Sequence, residues 1–447
     1  MILTSKMSSI TLNDNEIIIV NLLSGAVNIL NNEIYQELND LQKLRNDYPE
    51  VFQELVNDKF LFENNIEEQK YFVDLISSIN ELDIHEAPNF VILPTYDCNL
   101  HCVYCYESTT VQRNIKDMSE EQAEAVKRFI EYKAKNYDSS QIRITLMGGE
   151  PLLIRNKQII EDFLNWANIL KYKVDIVTNG TTIHQYEDIL KRYDISSLQI
   201  TVDGPKNIND KRRISIDEKG SFDNIIEGID LAIKNKIKTY IRVNIDVQNI
   251  SHLKDLAKFL INRYGSENKY LRPYLYVISD GGCLGDNYCI PEVEAVKKII
   301  DLSKNNECMD IYDLVFHGSN FIKGVLNSDD YFPQNRFCAA NKKQYVLGAE
   351  GNIYKCWFGV GEQKFALGTY YPDIQINESI EKLWEKRCVE NIPRCYNCKF
   401  SLICGGGCNN KAMSANLSIM TPNCADFDSL LKLGFSYYIE RGDMQLS

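Results

Sequence analysis

The chain has 447 residues, too many for one ordinary domain, and its 44% hydrophobic and 25% charged residues are ordinary globular usage. A net charge of −13 argues against nucleic acid as the main partner, because phosphate binding needs a surplus of Lys and Arg. No stretch approaches the roughly 18 uninterrupted apolar residues of a membrane span. The first residues lack a basic region followed by an apolar core, so the expectation is a cytoplasmic protein without a membrane partner.

Residues 1–86 read as a small winged-helix-like module. Ser9–Leu12, Glu16–Val20 and Ala26–Leu30 have strand composition, separated by turn signals at Asn13–Asn15 and Ser24–Gly25. Helical patterns follow over Glu33–Leu44 and Glu50–Asn57, then a short wing strand at Lys59–Phe62 and a helix over Glu67–Ile79. Acidic residues throughout argue against a grip on DNA.

From Pro88 the rhythm changes to alternating strands and helices. Phe90–Leu93, Ile142–Met147, Lys173–Thr178, Leu198–Val202, Thr239–Asp246 and Tyr274–Ile278 have strand composition. Helical patterns lie between and after them, near 120–136, 157–170, 183–192, 222–235, 251–263 and 292–305. Six such units in succession predict an α/β fold, a partial (β/α)6 TIM-like barrel over 87–309 with its chemistry at the C-terminal strand ends. Residues 310–337 read as a helical bridge, and 338–447 as a cysteine-rich domain with a closing helix.

Fourteen cysteines are too many to ignore in a chain expected to stay in a reducing compartment, where clustered thiols point to metal or redox chemistry. Ten fall into two patterned groups. The first, Cys98, Cys102 and Cys105, is C-x3-C-x2-C just after the first barrel strand. Three thiolates on one tight loop can hold three irons of a [4Fe–4S] cube and leave the fourth open. A zinc site would want a fourth Cys or His, and His101 inside the loop is poorly placed to complete a tetrahedron.

Here the chain resembles the radical S-adenosylmethionine superfamily. Tyr104 stands where that family carries an aromatic residue before the last cysteine. Gly148–Gly149–Glu150–Pro151 ends the second strand, Thr178–Asn179–Gly180 the third, and Thr201-Val202-Asp203-Gly204-Pro205 the fourth. The resemblance implies S-adenosyl-L-methionine as cofactor beside a catalytic [4Fe–4S] cluster on Cys98, Cys102 and Cys105. It implies that the Gly148–Glu150 edge holds the methionine amino group, that Thr201 contacts the ribose hydroxyls and that Arg213 pairs with the methionine carboxylate. Tyr104 and Asn179 complete the cofactor-binding set.

The second group is Cys395, Cys398, Cys404 and Cys408, with Cys424 after them and Cys338 and Gly351-x4-Cys356 upstream. It resembles the SPASM domain of radical enzymes that modify peptides and proteins. The resemblance implies one auxiliary [4Fe–4S] cluster on Cys395, Cys398, Cys404 and Cys424, and a second on Cys338, Cys356 and Cys408, three clusters in all. Some relatives supply a further cysteine at the position of Gln344, so the last iron is open, takes a substrate thiolate, or recruits Cys388. A structural zinc domain is the plainer alternative. Cys283, Cys289, Cys308 and Cys388 read as buried or unreactive thiols, Cys283 being the most suspicious for its place after strand six.

The run from Asn21 to Leu30 with Glu33–Tyr35 resembles the leader-peptide recognition element of peptide-modifying radical enzymes such as sactipeptide and ranthipeptide thioether synthases. A packing or dimerisation domain is the alternative. The resemblance implies a maturase of a ribosomally made precursor peptide bound through its leader and driven by a flavodoxin- or ferredoxin-type reductant. A 5′-deoxyadenosyl radical would abstract a hydrogen, and a thioether from cysteine sulfur to carbon would form. Formylglycine generation in a sulfatase and carbon–carbon crosslinking are the enzymatic alternatives. A non-enzymatic iron–sulfur electron-transfer or metal-binding protein is the alternative of another class.

Overall fold

The computed structural model describes residues 1–107, 117–278, 289–326, 333–416 and 418–441. The chain divides into two compact units: residues 87–315 with 339–385, and residues 1–86 with 316–338 and 386–447.

The first unit is built on one sheet. Its parallel strands, in chain order, are β1 (Asn89–Ile92), β2 (Arg143–Leu146), β3 (Lys173–Thr178), β4 (Ser197–Thr201), β5 (Thr239–Ile245), β6 (Leu271–Val277) and β7 (Asp313–Val315), and each lies beside its sequence neighbour. Among the described residues, the helices that join them run over Glu120–Ala134, Lys157–Ile169, Glu187–Arg192, Lys206–Arg212, Phe222–Lys234 and Leu253–Tyr264, and Glu292–Ser303 precedes β7. Phe90, Val91, Ile92, Ile144, Leu146, Ile176, Leu198, Ile200, Ile241, Val243 and Leu275 are all buried, as in a sheet covered by helices. The helix after β1 starts with a reciprocal cap, Ser119 accepting from the Gln122 N–H while the Gln122 side chain accepts from the Ser119 N–H. This α/β partial barrel is the fold class the alternation predicts.

Two features depart from the expected elements. Strand β6 begins three residues before Tyr274 and includes Pro273, a residue that reads against a central strand because it has no N–H to donate. Asp313–Val315 is a seventh parallel strand where the sequence pattern suggests helix alone; three residues are too few to show a period. The sheet also continues past β1. Gln344–Leu347 pairs parallel with β1, Leu347 opposite Ile92, and Asn352–Tyr354, Gly368–Thr369 and Gln375–Ile376 follow antiparallel.

The second unit contains a three-stranded antiparallel sheet, Met7–Thr11, Glu16–Asn21 and Val27–Asn31, in that order. The central strand is buried on both faces from Ile17 to Asn21. Ile17 and Ile19 join Leu30, Leu38, Leu44, Phe52, Leu55, Phe60 and Leu61 in one core. Three short helices (Asn32–Glu37, Leu41–Asp47, Pro49–Asn57) supply much of it, and the strand Leu61–Phe62 pairs with Ile2–Leu3. A second core joins Leu23 and the helix Asn65–His85, through Phe72, Ile76 and Ile79, to Val389, Ile392, Cys395 and Leu402. The closing helix Phe427–Glu440 lies against Ser319–Leu326, where a Cβ on Gly434 would stand 2.4 Å from Ile322. Among the described residues no helix is long and apolar enough to cross a membrane.

Candidate active centre and auxiliary cysteine cavity

The loop leaving β1 carries the first cysteine group, and its shape is set by short polar turns. Thr95 Oγ1 accepts from the Asp97 N–H at 3.1 Å and Asp97 Oδ1 from the Cys98 N–H at 2.9 Å. Arg155 donates to Asp97 Oδ2 at 2.7 Å and Asp117 Oδ2 at 2.8 Å, fastening the start of the loop. Leu100–Cys102 then pairs antiparallel with Arg213–Ser215, placing Cys102 opposite Arg213. The Cys105 N–H closes a turn on the Cys102 carbonyl at 3.1 Å.

Gly148 and Gly149 bring the end of β2 against this loop. Gly149 N–H donates to Thr95 O at 3.2 Å and Glu150 N–H to Asp97 O at 2.8 Å. A Cβ on Gly149 would stand 2.2 Å from Asp97 O, so only glycine permits the approach. Glu150 is fully buried, and its carboxylate accepts from Thr178 Oγ1 at 2.7 Å, Asn179 N–H at 2.6 Å and Leu152 N–H at 2.8 Å. It ties the ends of β2 and β3 together with both oxygens engaged. Burial pushes its carboxyl up, opposed by the Asn179 N–H and Thr178 hydroxyl.

Asn179 extends the same network to the cysteines. Its side-chain amide donates to Asn99 Oδ1 at 2.8 Å and to Cys98 Sγ at 3.7 Å, while its oxygen accepts from the Thr181 N–H and hydroxyl. Thr201 is buried at the end of β4.

Tyr104 sits in a buried ionic pocket that residue spacing alone does not reveal. Its hydroxyl donates to Asp203 Oδ2 at 2.5 Å and accepts from Arg213 Nη1 at 2.8 Å and Asn244 Nδ2 at 3.3 Å. Arg212, over the Tyr104 ring at 5.1 Å, is held by both oxygens of Asp246 at 2.7–2.8 Å. Arg213 is buried, and its Nε has no acceptor. Burial works against its charge, but Cys102, Tyr104 and Asp203 keep the guanidinium above its ordinary value. Burial also pushes the Cys98 and Cys102 thiols up. Two such thiols with Cys105 on the same loop, and a buried guanidinium whose Nε is unsatisfied opposite Cys102, suit a metal that displaces thiol protons and an anionic ligand next to it. Asp203, Arg212, Asn244 and Asp246 are absent from the sequence-derived set; the neighbour of Arg213 and the Asp after strand four were the available signals.

Tyr96, two residues before Cys98, donates its hydroxyl to Glu350, which also accepts from Tyr354 at 2.5 Å and Asn352 at 3.1 Å. This joins the first cysteine loop to the hairpin that leads into Cys356.

In the second unit, Cys395, Cys398, Cys404 and Cys424 line one cavity of about 120 Å3 together with Phe400, Ser401 and Phe427. Burial pushes Cys395 up to about 11 and Cys404 to about 12. Gly405, Gly406 and Gly407 all have positive φ, 64°, 89° and 74°. A Cβ on Gly407 would stand 1.8 Å from Asn423 O, so the cysteine loops meet where side chains cannot fit. Lys6 Nζ reaches Cys398 O at 2.8 Å. Four thiols lining a single cavity, Cys398 and Cys424 at its exposed side, suit a fully ligated cluster. Among the described residues no three His, Cys, Asp or Glu side chains gather at single-ion distances.

Cys338 and Cys408 belong to this unit and Cys356 to the other; Asn409 Nδ2 donates to Cys338 Sγ at 3.9 Å. Gln344 is buried in the sheet, donating to Lys355 O at 2.9 Å. Cys388 is buried, donates to Lys386 O and Glu390, and accepts from Asn391 Nδ2 at 3.1 Å. Cys289 and Cys308 are half-buried, and Cys283 lies outside the described residues.

Residues 92–260 match the family profile described as the Radical SAM superfamily. A cysteine-type anaerobic sulfatase-maturating enzyme of Clostridium novyi is 24% identical over 70% of this chain and 85% of its own length. The structure of anSMEcpe with bound AdoMet and the Cp18Cys peptide matches 79% of this chain and 98% of its own, with TM-score 0.59 and 19% identity. The structure of Streptococcus suis SuiB bound to the precursor peptide SuiA matches 95% of this chain and 98% of its own, with TM-score 0.57 and 16% identity.

Proposed function

Starting from a chain that is a radical S-adenosylmethionine enzyme by the domain its residues 92–260 form, we propose that it matures a ribosomally made precursor peptide by installing a thioether. The observation that carries the peptide reading is the N-terminal antiparallel sheet, whose outer strands Met7–Thr11 and Val27–Asn31 each pair on one side only. A leader added as a further strand would take backbone hydrogen bonds for affinity and alternate side chains for specificity. SuiB, a solved structure that binds a precursor peptide, has this fold over nearly the whole chain.

In this reading Cys98, Cys102 and Cys105 hold the catalytic cluster. Gly148 and Gly149 keep the strand edge open to the cofactor, Asn179 steadies Cys98, and Glu150, which also fixes the two strand ends, completes the edge that would hold the methionine amino group. Arg213 offers its unsatisfied Nε to the methionine carboxylate while Tyr104 and Asp203 hold its side chain in place, and Thr201 faces the ribose. Bound there, the cluster and cofactor supply one-electron cleavage of a sulfonium bond and a radical able to take hydrogen from an unactivated carbon.

Cys395, Cys398, Cys404 and Cys424 would hold one auxiliary cluster, and Cys338, Cys356 and Cys408 would supply three thiolates to the other, leaving it able to accept a substrate thiolate. Cys388 and Gln344 do not close that site, because each is already engaged in its own loop or strand. A flavodoxin- or ferredoxin-type protein supplies electrons.

The second reading, formylglycine formation, is favoured by the Clostridium novyi relative. One experiment separates the outcomes. The reconstituted enzyme is incubated anaerobically with cofactor, reductant and a cysteine-containing peptide encoded beside its gene, and the product is weighed and alkylated. A thioether loses two hydrogens, keeps its sulfur and no longer alkylates. Retained alkylation with two hydrogens lost marks a carbon–carbon bond, and loss of sulfur marks formylglycine; either overturns the thioether.

A further inference from the structure

The side chain that organises the auxiliary cysteines is Arg387, which no cysteine pattern contains. It is completely buried. Nη1 donates to the carbonyls of Ile419 and Thr421, the latter at 2.7 Å, and Nη2 to those of Gly406 and Gly407 at 2.9 and 3.0 Å. Gly406 and Gly407 lie between Cys404 and Cys408, and Ile419 to Thr421 lead into Cys424. One guanidinium therefore fastens both loops that bring these cysteines into place, and the Asn423 N–H donates to Gly406 O at 3.1 Å across the same seam.

The electrostatics are unusual for a buried Arg. Its planar fork is matched to neutral carbonyls, its Nε has no acceptor, and it forms no ion pair with a described carboxylate. A buried cation without a counter-charge is unfavourable. The groups near it that gain negative charge on binding metal are thiols. A Cβ built on Gly406 would stand 4.0 Å from both Arg387 Nη2 and Cys395 Sγ, so guanidinium and sulfur flank the same glycine. Burial pulls the Arg387 charge down, while Cys395, Cys408, Cys338 and Cys404 act in the opposite sense. These four belong to both auxiliary sets.

We propose that Arg387 is a positioning residue and the internal counter-ion of the auxiliary clusters, holding their loops and easing the arrival of an electron on them. This rests on the reading that these cysteines ligate clusters. A thiolate-ligated cluster gains one negative charge when it takes an electron, and a fixed cation beside it favours the reduced form, since net charge and burial set such potentials.

The test uses the full-length chain with Cys98, Cys102 and Cys105 replaced by Ala, so that only auxiliary iron contributes. Iron and sulfide in this parent are measured first; a parent without iron defeats the cluster reading itself and the counter-ion role with it. In the loaded parent, Arg387→Gln is expected to move the midpoint potential of the auxiliary signal to a more negative value, and Arg387→Lys, which keeps the charge, to leave it near the parent. An unchanged potential in Arg387→Gln overturns the counter-ion role. If Arg387→Gln loads no iron, recovery of iron in Arg387→Lys supports that role, and failure to recover counts against it. The positioning role is read separately in metal-free protein by amide exchange at residues 404–408 and 419–424. Exchange there is expected to accelerate about tenfold or more in Arg387→Gln; exchange equal to the parent overturns it.

Discussion

The loop of Cys98, Cys102 and Cys105 is held from the sheet outward, by backbone pairing with Arg213–Ser215 and by the glycine edge of β2. The segment of Cys395, Cys398, Cys404 and Cys424 is held instead by a hydrophobic core shared with the helix Asn65–His85 and by one buried cation. The first arrangement leaves Cys102 opposite Arg213, whose Nε has no acceptor, while the second gathers four thiols around one cavity. In the proposed reading this difference separates a centre that receives a ligand from one that holds and passes charge.

The sharpest break in that comparison is chemical. Replacing Cys98, Cys102 and Cys105 together by Ala is expected to abolish 5′-deoxyadenosine production, because the ligand-binding centre is lost; undiminished production would refute the assignment. Gly149→Ala attacks the same centre through its backbone. With a Cβ 2.2 Å from Asp97 O, the cysteine loop must shift, and a displacement of that order lowers turnover by about 100-fold. Chromatographic assay of deoxyadenosine reads both.

How much of this was legible from sequence differs between the two regions for a physical reason. The first centre is made of consecutive strand ends, so Gly148–Glu150, Thr178–Gly180 and Thr201–Pro205 announce it locally, and the six expected strands fall within about three residues of the observed ones. Tyr104 was legible, but the acid and amide that hold it, Asp203 and Asn244, were not read. Pairings across long stretches of chain leave no such mark. Nothing local says that Gln344–Leu347 extends the sheet beside β1, or that Val389 and Ile392 pack on Phe72 and Ile76. Arg387 is an isolated Arg in sequence and acquires meaning only from the carbonyls that fold around it. The shared core also means that removing residues 1–86 would strip the packing from the auxiliary segment, so leader recognition is better probed by substitutions on the outer strands.

A middle-sized effect sharpens the role of Glu150. Glu150→Ala leaves the Thr178 hydroxyl and two backbone N–H groups without their charged acceptor, and the cost is about 3 kcal/mol. The expected result is a lowered denaturation midpoint in metal-free protein; an unchanged midpoint would mean that Glu150 is held for the ligand and not for the fold. The smallest effect is expected at Cys388. Its thiol is satisfied by Lys386, Glu390 and Asn391, so Cys388→Ala should keep its iron content and auxiliary spectrum and lose only about 1 kcal/mol of packing. Loss of iron in that variant would make Cys388 the missing ligand.

The central claim is that the Cys98, Cys102 and Cys105 loop holds a ligand-binding cluster and the later cysteines hold two auxiliary clusters, and counting iron tests it most directly. Anaerobically reconstituted wild-type protein is expected to carry about twelve irons and as many sulfides per chain, and the Cys98, Cys102 and Cys105 triple variant about eight. About four irons in the wild type, all lost in the triple variant, or a colourless protein holding one or two zinc ions, would contradict the account.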